Sequence, residues 1–173
     1  LNHVILGIIM KYSLLLVLFF SALTTHASND FTIYLTRHAE KQSESKDPKL
    51  TDCGAQRAQQ LASRLEKVNI ERVYSTPYNR TMATAAPTAK QQGLIVEQYS
   101  PAKLALFTKK LLQKKESVLV VGHSNTTPQL SALLSDLDVA DITEKEYRNL
   151  YQIQVSDSGK VLTLLTQPLT CHN

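Results

Sequence analysis

Cysteine is scarce in this chain: two among 173 residues, Cys53 and Cys171. No pair of potential ligands stands at a tight metal spacing. Cys53, Cys171 and His172 therefore do not read as a zinc site, and neither a metal nor another cofactor is expected. Past the N-terminal region no second long apolar run occurs, so nothing further reads as a membrane span. There is no lysine- and arginine-rich run with interleaved aromatics. The formal net charge of +4 suits anionic substrates but is too weak to argue for nucleic acid. Internal repeats and long low-complexity stretches are also absent. The length allows about one domain.

What is present begins with a targeting signal. Met10-Lys11 precedes an apolar run over residues 13–23, and Thr25-His26-Ala27 forms a small-x-Ala exit before Ser28. A positive start, a short apolar core and a small-residue exit describe a secretory signal peptide. The run falls short of the roughly 20 residues that a membrane helix needs. Residues 1–9 read as an upstream extension, with Met10 as the start. The expected division is 1–27 for extension and signal and 28–173 for one folded domain. That domain is expected in the periplasm, with no stable membrane span once the signal is cleaved; an uncleaved anchor is the alternative. In an oxidising compartment Cys53 and Cys171 are expected to pair. The bridge would tie the C-terminal tail to the start of the first helix and stabilise by about 4–5 kcal/mol on the loop-entropy model. Two free thiols are the alternative.

The mature region alternates strand and helix. Residues 32–36 alternate in character and are β-branched or aromatic, which reads as a strand. Residues 41–49 form a polar loop around Asp47-Pro48. Thr51 can cap a helix over about 52–68, with Ala55, Ala58, Leu61, Ala62 and Leu65 at helical spacing. Residues 72–75 make a short strand, and Thr76-Pro77 turns the chain into a helix over 78–92, closed by Gly93. A third strand spans 94–99. Ser100-Pro101 opens the next helix, with proline in its first turn. A fourth strand spans 117–122, and Thr126-Thr127-Pro128 starts the last helix. Residues 150–155 and 161–166 flank Asp157-Ser158-Gly159 as a hairpin. This order predicts an α/β/α sandwich of three layers, its central sheet mostly parallel with an antiparallel edge.

Arg37-His38 stands directly after the first strand, and His123 directly after the fourth. Strand ends form the usual ligand crevice of an α/β fold. Two strand-end histidines with arginines describe a pocket for a phosphate dianion and a ring nitrogen to attack it.

These residues carry a resemblance. Leu35-Thr36-Arg37-His38-Ala39-Glu40 resembles the Arg-His-Gly motif of the histidine phosphatase superfamily, which has the phosphoglycerate-mutase-like fold. Leu50-Thr51-x-x-Gly54-x-x-Arg57-Ala58 resembles its first-helix pattern, and Ser75-Thr76-Pro77-x-x-Arg80-Thr81-x-x-Thr84-Ala85 its second-arginine motif. Val120-Val121-Gly122-His123-Ser124 resembles its second-histidine motif. The order is kept across most of the mature chain. Two departures stand out. Ala39 replaces the usual glycine, which keeps the pocket if the backbone there avoids positive φ. No long insertion lies between Arg80 and His123, where mutases and sugar bisphosphatases of the family carry lid material. The chain is similar in size to the small bacterial phosphohistidine phosphatases; the exported lipopolysaccharide heptose phosphatase is a better match for compartment.

The resemblance implies a hydrolase acting without a metal. His38 is the candidate nucleophile that carries a covalent phosphoryl group. Arg37 and Arg80 are candidate clamps, because guanidinium forks grip phosphate oxygens and keep their charge. His123 is expected to donate to the phosphate. Ser124, Asn125 and Thr126 add donors at a helix start or serve only as caps. The leaving alkoxide needs an acid. Glu97, the only acidic residue between Arg80 and Glu116, is the first candidate; Glu144 and Glu146 lie on a charged loop, and Glu40 reads as a structural partner. Gly54 reads as a packing or helix-start residue and Arg57 as a surface or supporting one. Tyr147 and Tyr151 read as core or rim aromatics. Expected substrates are phosphorylated small molecules or envelope phospho-compounds, with phosphoramidates included, and an open site admits bulky ones. The rival from another class is a phosphate-binding module of the same fold without turnover.

Overall fold

The computed structural model describes residues 30–43 and 45–169. The signal region, the start at Met10 and Cys171, the expected partner of Cys53, lie outside the described residues. Six strands form one sheet in the order β3-β2-β4-β1-β5-β6. They are β1 (Phe31–Arg37), β2 (Arg72–Ser75), β3 (Val96–Gln98), β4 (Val118–Gly122), β5 (Asn149–Ser156) and β6 (Gly159–Thr166). β3, β2, β4 and β1 pair in parallel, and β5 and β6 join antiparallel beside β1. The helices are α1 (Asp52–Arg64), α2 (Asn79–Gln91), α3 (Leu104–Lys114) and α4 (Thr126–Ser135).

The three expected layers follow from the side-chain period of two along each strand. Ile33, Leu35, Val118, Val120 and Tyr74 face one side, where they pack with Phe107 and Leu111 of α3 and Leu130 and Leu134 of α4. Tyr34, Leu119, Val121 and Val73 face the other, against Leu61 and Leu65 beside α1 and Ala85 and Ala89 of α2. Because β4 is covered on both faces, it reads as an unbroken apolar run. Each fully buried leucine in these clusters contributes about 1.5–3 kcal/mol relative to exposure.

Several boundaries differ from expectation for local reasons. β3 begins at Val96 rather than residue 94, since Leu94 N donates to Ala89 O at 2.8 Å and finishes the end of α2. α3 begins at Leu104, not at Pro101. Ser100 to Lys103 form a turn closed by Lys103 N donating to Ser100 O at 3.1 Å; proline is favoured at the second position of such a turn as much as in a first helical turn. α1 stops at Arg64, with Leu65 as its C-cap residue. Among the described residues no cysteine is free and Cys53 is disulfide-bonded. No helix of the described residues is long and apolar enough to cross a membrane.

Candidate active site

The parallel register builds the site. Arg37 stands opposite Gly122, so the next residues, His38 and His123, leave the sheet at the same level. Their ring centroids lie 5.7 Å apart. Gly122 permits this end of the sheet: a Cβ there would come within 2.8 Å of the Tyr99 hydroxyl and 3.0 Å of the Thr126 and Thr127 hydroxyls. β2 ends beside β4, and α2, which follows, brings Arg80 in its first turn. A cleft of about 710 Å³ opens above, lined by His38, Arg80, His123, Tyr78, Ser124, Asn125, Thr126 and Glu144, with Lys41, Pro101 and Ala102.

His38 is buried, and its Nδ1 lies 2.8 Å from Ala39 O. A carbonyl only accepts, so Nδ1 carries the proton and Nε2 keeps its lone pair. Burial, with Arg37, Arg80 and His123 nearby, pushes the ring pKa down to about 3. The ring is therefore neutral at any ordinary pH. Ala39 is not among the residues with positive φ, and its N–H donates to Thr84 Oγ1 at 2.9 Å. Alanine thus fits where the resemblance has glycine.

Arg37 is fully buried. Its Nη1 donates to the carbonyls of Thr143 (3.0 Å) and Glu146 (3.4 Å), and its plane lies 4.2 Å over the Tyr147 ring. Nη2 donates to Glu144 Oε2 at 2.6 Å. Arg80 has its Nη1 on Asp47 Oδ1 at 3.3 Å and lies 4.7 Å over Tyr78. In both arginines Nε is buried with no protein partner. Each guanidinium is thus anchored through Nη1 and keeps Nε, one arm of the Nε/Nη2 edge that grips an oxyanion bidentately, without a protein partner. Arg80 lines the cleft, and Arg37 is joined to it through Glu144, which does.

His123 is held differently. Nε2 lies 2.9 Å from Thr76 Oγ1, and Nδ1 lies 3.5 Å from Arg80 Nη2. Since a guanidinium only donates, Nδ1 is the acceptor and Nε2–H points at the threonine. Burial, then Arg80 and Arg37, pushes this ring down to about 4.

Glu40 is structural: it pairs with the buried Arg57 through Nε at 2.8 Å and Nη2 at 2.5 Å. Arg57 is consequently a buried brace rather than a surface residue. A Cβ on Gly54 would lie 2.2 Å from Glu40 O, so glycine lets α1 close on the motif. Glu97 is not brought to the cleft. Its carboxylate faces Arg72 at 2.7 Å and Lys110 at 3.8 Å, on the outermost parallel strand. Glu146 is turned to the backbone N–H of Thr143 at 2.6 Å. Glu144 does reach the cleft. Tyr147 lies against the Arg37 guanidinium and 6.1 Å from the His38 ring, whereas Tyr151 is core. Sequence reasoning missed Asp47, Tyr78 and Thr76. Asp47 also caps α2 by accepting from Asn79 N at 2.9 Å, and its only sequence signal is a turn dipeptide, Asp47-Pro48. Among the described residues no group of three or more His, Cys, Asp or Glu is placed to hold a metal ion.

The sequence profile of the histidine phosphatase superfamily (branch 1) matches residues 33–101, the segment carrying Arg37, His38 and Arg80. Over that segment the chain is similar to the histidine phosphatase superfamily. Solved structures share the fold. The protein histidine phosphatase SixA, complexed with tungstate, matches with a TM-score of 0.66 at 19% identity, covering 80% of this chain and 97% of that one. A mycobacterial glucosyl-3-phosphoglycerate phosphatase matches with a TM-score of 0.64 at 14% identity, covering 82% and 100%. YhfR of Bacillus stearothermophilus matches with a TM-score of 0.61 at 19% identity, covering 80% and 98%. At these identities the likeness is one of fold. No curated protein matches the chain in sequence.

Proposed function

We propose that this protein is a phosphatase that hydrolyses phosphomonoesters through a phosphohistidine on Nε2 of His38. The observation that carries the reading is a neutral, Nδ1-protonated His38 in a cleft beside two anchored arginines, each with a buried Nε that has no protein partner. Two forks supply charge-assisted donors to the equatorial oxygens and stabilise them in transit. His38 needs no proton removed before it attacks. A dianion between Arg80 and His123 replaces the long Arg80–Nδ1 contact and draws a proton onto Nδ1, which then donates to it. Ser124 and Asn125, ahead of α4, add donors beside the positive end of the helix dipole. The phosphatase activities named for SixA and the mycobacterial enzyme support the reading.

The signal pattern over residues 10–27 supports export, and the open cleft suits substrates larger than a phosphate ion. The test is turnover of para-nitrophenyl phosphate by the purified protein in chelator, with intact mass after a quench that avoids acid. A single-phosphate adduct and turnover, both missing in His38→Ala, are expected. A folded wild-type protein giving neither would point instead to a phosphate-binding module.

A further inference from the structure

The cleft mouth carries a carboxylate that the reading above leaves unused. Glu144 sits between α4 and β5. Its Oε2 accepts from Arg37 Nη2 at 2.6 Å, and its Oε1 accepts from the Ser124 hydroxyl. It therefore holds one arm of the same guanidinium edge whose other arm, Nε, is buried without a partner. The Glu144 side chain is 72% exposed, whereas His38 is 3% exposed, and both line the cleft. The nucleophile is at the floor and the carboxylate at the mouth. In-line displacement places the leaving oxygen on the side of phosphorus away from the nucleophile, and so toward the mouth. The other nearby carboxylates are engaged: Asp47 caps α2 and holds Arg80, and Glu40 is buried against Arg57.

Resting on the phosphatase reading, we propose that Glu144 is the general acid of this site and that the substrate loads it with its proton. In the free protein Ser124 ahead of α4, together with Arg37 at the end of β1, keeps the group a carboxylate, its pKa held below the usual range. Lys41 from the β1–α1 loop and His123 from the end of β4 share the cleft. A phosphate dianion that grips the Nε/Nη2 edge of Arg37 takes the place of Oε2. The carboxylate then loses its cation and faces a dianion, which favours the protonated form. In the first step the His38 Nε2 lone pair forms the N–P bond. The P–O bond breaks with its electron pair on the leaving oxygen, which takes the proton from Glu144. In the second, water attacks phosphorus and gives a proton to the Glu144 carboxylate. The P–N bond then breaks, and its pair returns to Nε2.

The experiment compares wild type, Glu144→Gln and Glu144→Asp on para-nitrophenyl, phenyl and butyl phosphate, with phosphate binding by calorimetry and thermal melts as the folding control. Glu144→Gln should slow butyl phosphate by about 10²–10⁴-fold, the usual reach of acid catalysis. Phenyl phosphate should suffer less and para-nitrophenyl phosphate least, so that the rate falls more steeply with leaving-group pKa. Glu144→Asp should recover part of the butyl phosphate rate. Inorganic phosphate should bind Glu144→Gln several-fold tighter, since no carboxylate must be displaced. Equal losses on all three substrates would overturn the assignment and leave Glu144 as a positioning partner of Arg37. Unchanged phosphate affinity would overturn loading by displacement. A wild-type protein without turnover or adduct on para-nitrophenyl phosphate would sink the phosphatase reading itself, and this one with it.

Discussion

The two walls of the cleft are built from the same four parts. One has Arg37, His38, Tyr147 and Glu144; the other has Arg80, His123, Tyr78 and Asp47. On each wall an arginine lies over a tyrosine and carries a loop carboxylate. The rings are what differ. His38 places its proton on a main-chain carbonyl and keeps Nε2 open. His123 has Thr76 on one nitrogen and Arg80 near the other. Identical side chains therefore take opposite tautomers, and only the His38 ring leaves Nε2 without a protein partner. The lesson is that hydrogen-bond partners, not residue type, divide attack from grip.

Removing each ring is the strongest way to break the comparison. His38→Ala should lose the phosphoenzyme and about 10⁴-fold or more in kcat, because its remaining partners act only as a unit with it. His123→Ala should lose about 10²–10³-fold, the scale of one charge-stabilising donor, and still show the adduct by intact mass. An adduct lost in both variants, or kept in His38→Ala, would exchange or merge the roles.

The next contrast is structural. The His38 wall is braced by the buried Glu40–Arg57 pair. Glu40→Ala leaves the Arg57 charge without its carboxylate, which should cost about 3–5 kcal/mol of stability in denaturant unfolding. Asp47→Ala on the other wall removes a half-exposed helix cap and should cost only about 0.5–2 kcal/mol. Comparable losses would mean that the two walls are supported alike.

The two arginines differ in how firmly they are held. Lysine keeps the charge but loses the fork. Both Arg37→Lys and Arg80→Lys should lower kcat/KM, by about 10–100-fold if each loses one or two charge-assisted bonds. Arg37→Lys should be the worse, because the Arg37 side chain is 1% exposed and is fixed by two main-chain carbonyls. The Arg80 side chain is 15% exposed and is anchored by a surface carboxylate. Steady-state kinetics on an aryl phosphate gives the ranking.

The walls also explain what could be read in the sequence. Arg37, His38 and His123 stand at the ends of apolar strands, and Arg80 stands in a helix's first turn. Local pattern fixes those positions, and parallel pairing does the rest. The contacts of Asp47 with Arg80 and of Glu144 with Arg37 join residues 33 and 107 positions apart in sequence. No periodicity around Asp47 or Glu144 announces where the carboxylate will land. Glu97 misled for a related reason: it is the only acid between Arg80 and Glu116 in sequence, yet alternation on β3 turns it to Arg72 and Lys110. Likewise Pro101 fits a turn as well as a helix start, and only the hydrogen bond from Lys103 to Ser100 separates the two.

The smallest effect is the most direct reading of the tautomers. In the folded protein His38 lies near 3 and His123 near 4, both below the ordinary 6.5, chiefly because burial disfavours the charged ring. Above pH 6.5 the rings are neutral whether folded or unfolded, and they add no pH dependence. As pH falls below 6.5 the unfolded chain takes up protons that the folded chain refuses. Stability should then fall, by up to about 1.4 kcal/mol per pH unit for each ring, until the folded pKa is reached. Urea unfolding between pH 7 and 4.5 should show this slope, and His38→Asn should remove about half of it. Ring-nitrogen NMR of the free protein should find both rings neutral at pH 5, with the proton on Nδ1 of His38 and on Nε2 of His123. A His38 ring that titrates near 6.5 would mean that the attacking nitrogen competes for a proton at working pH, and the division between the two walls would fail at its first step.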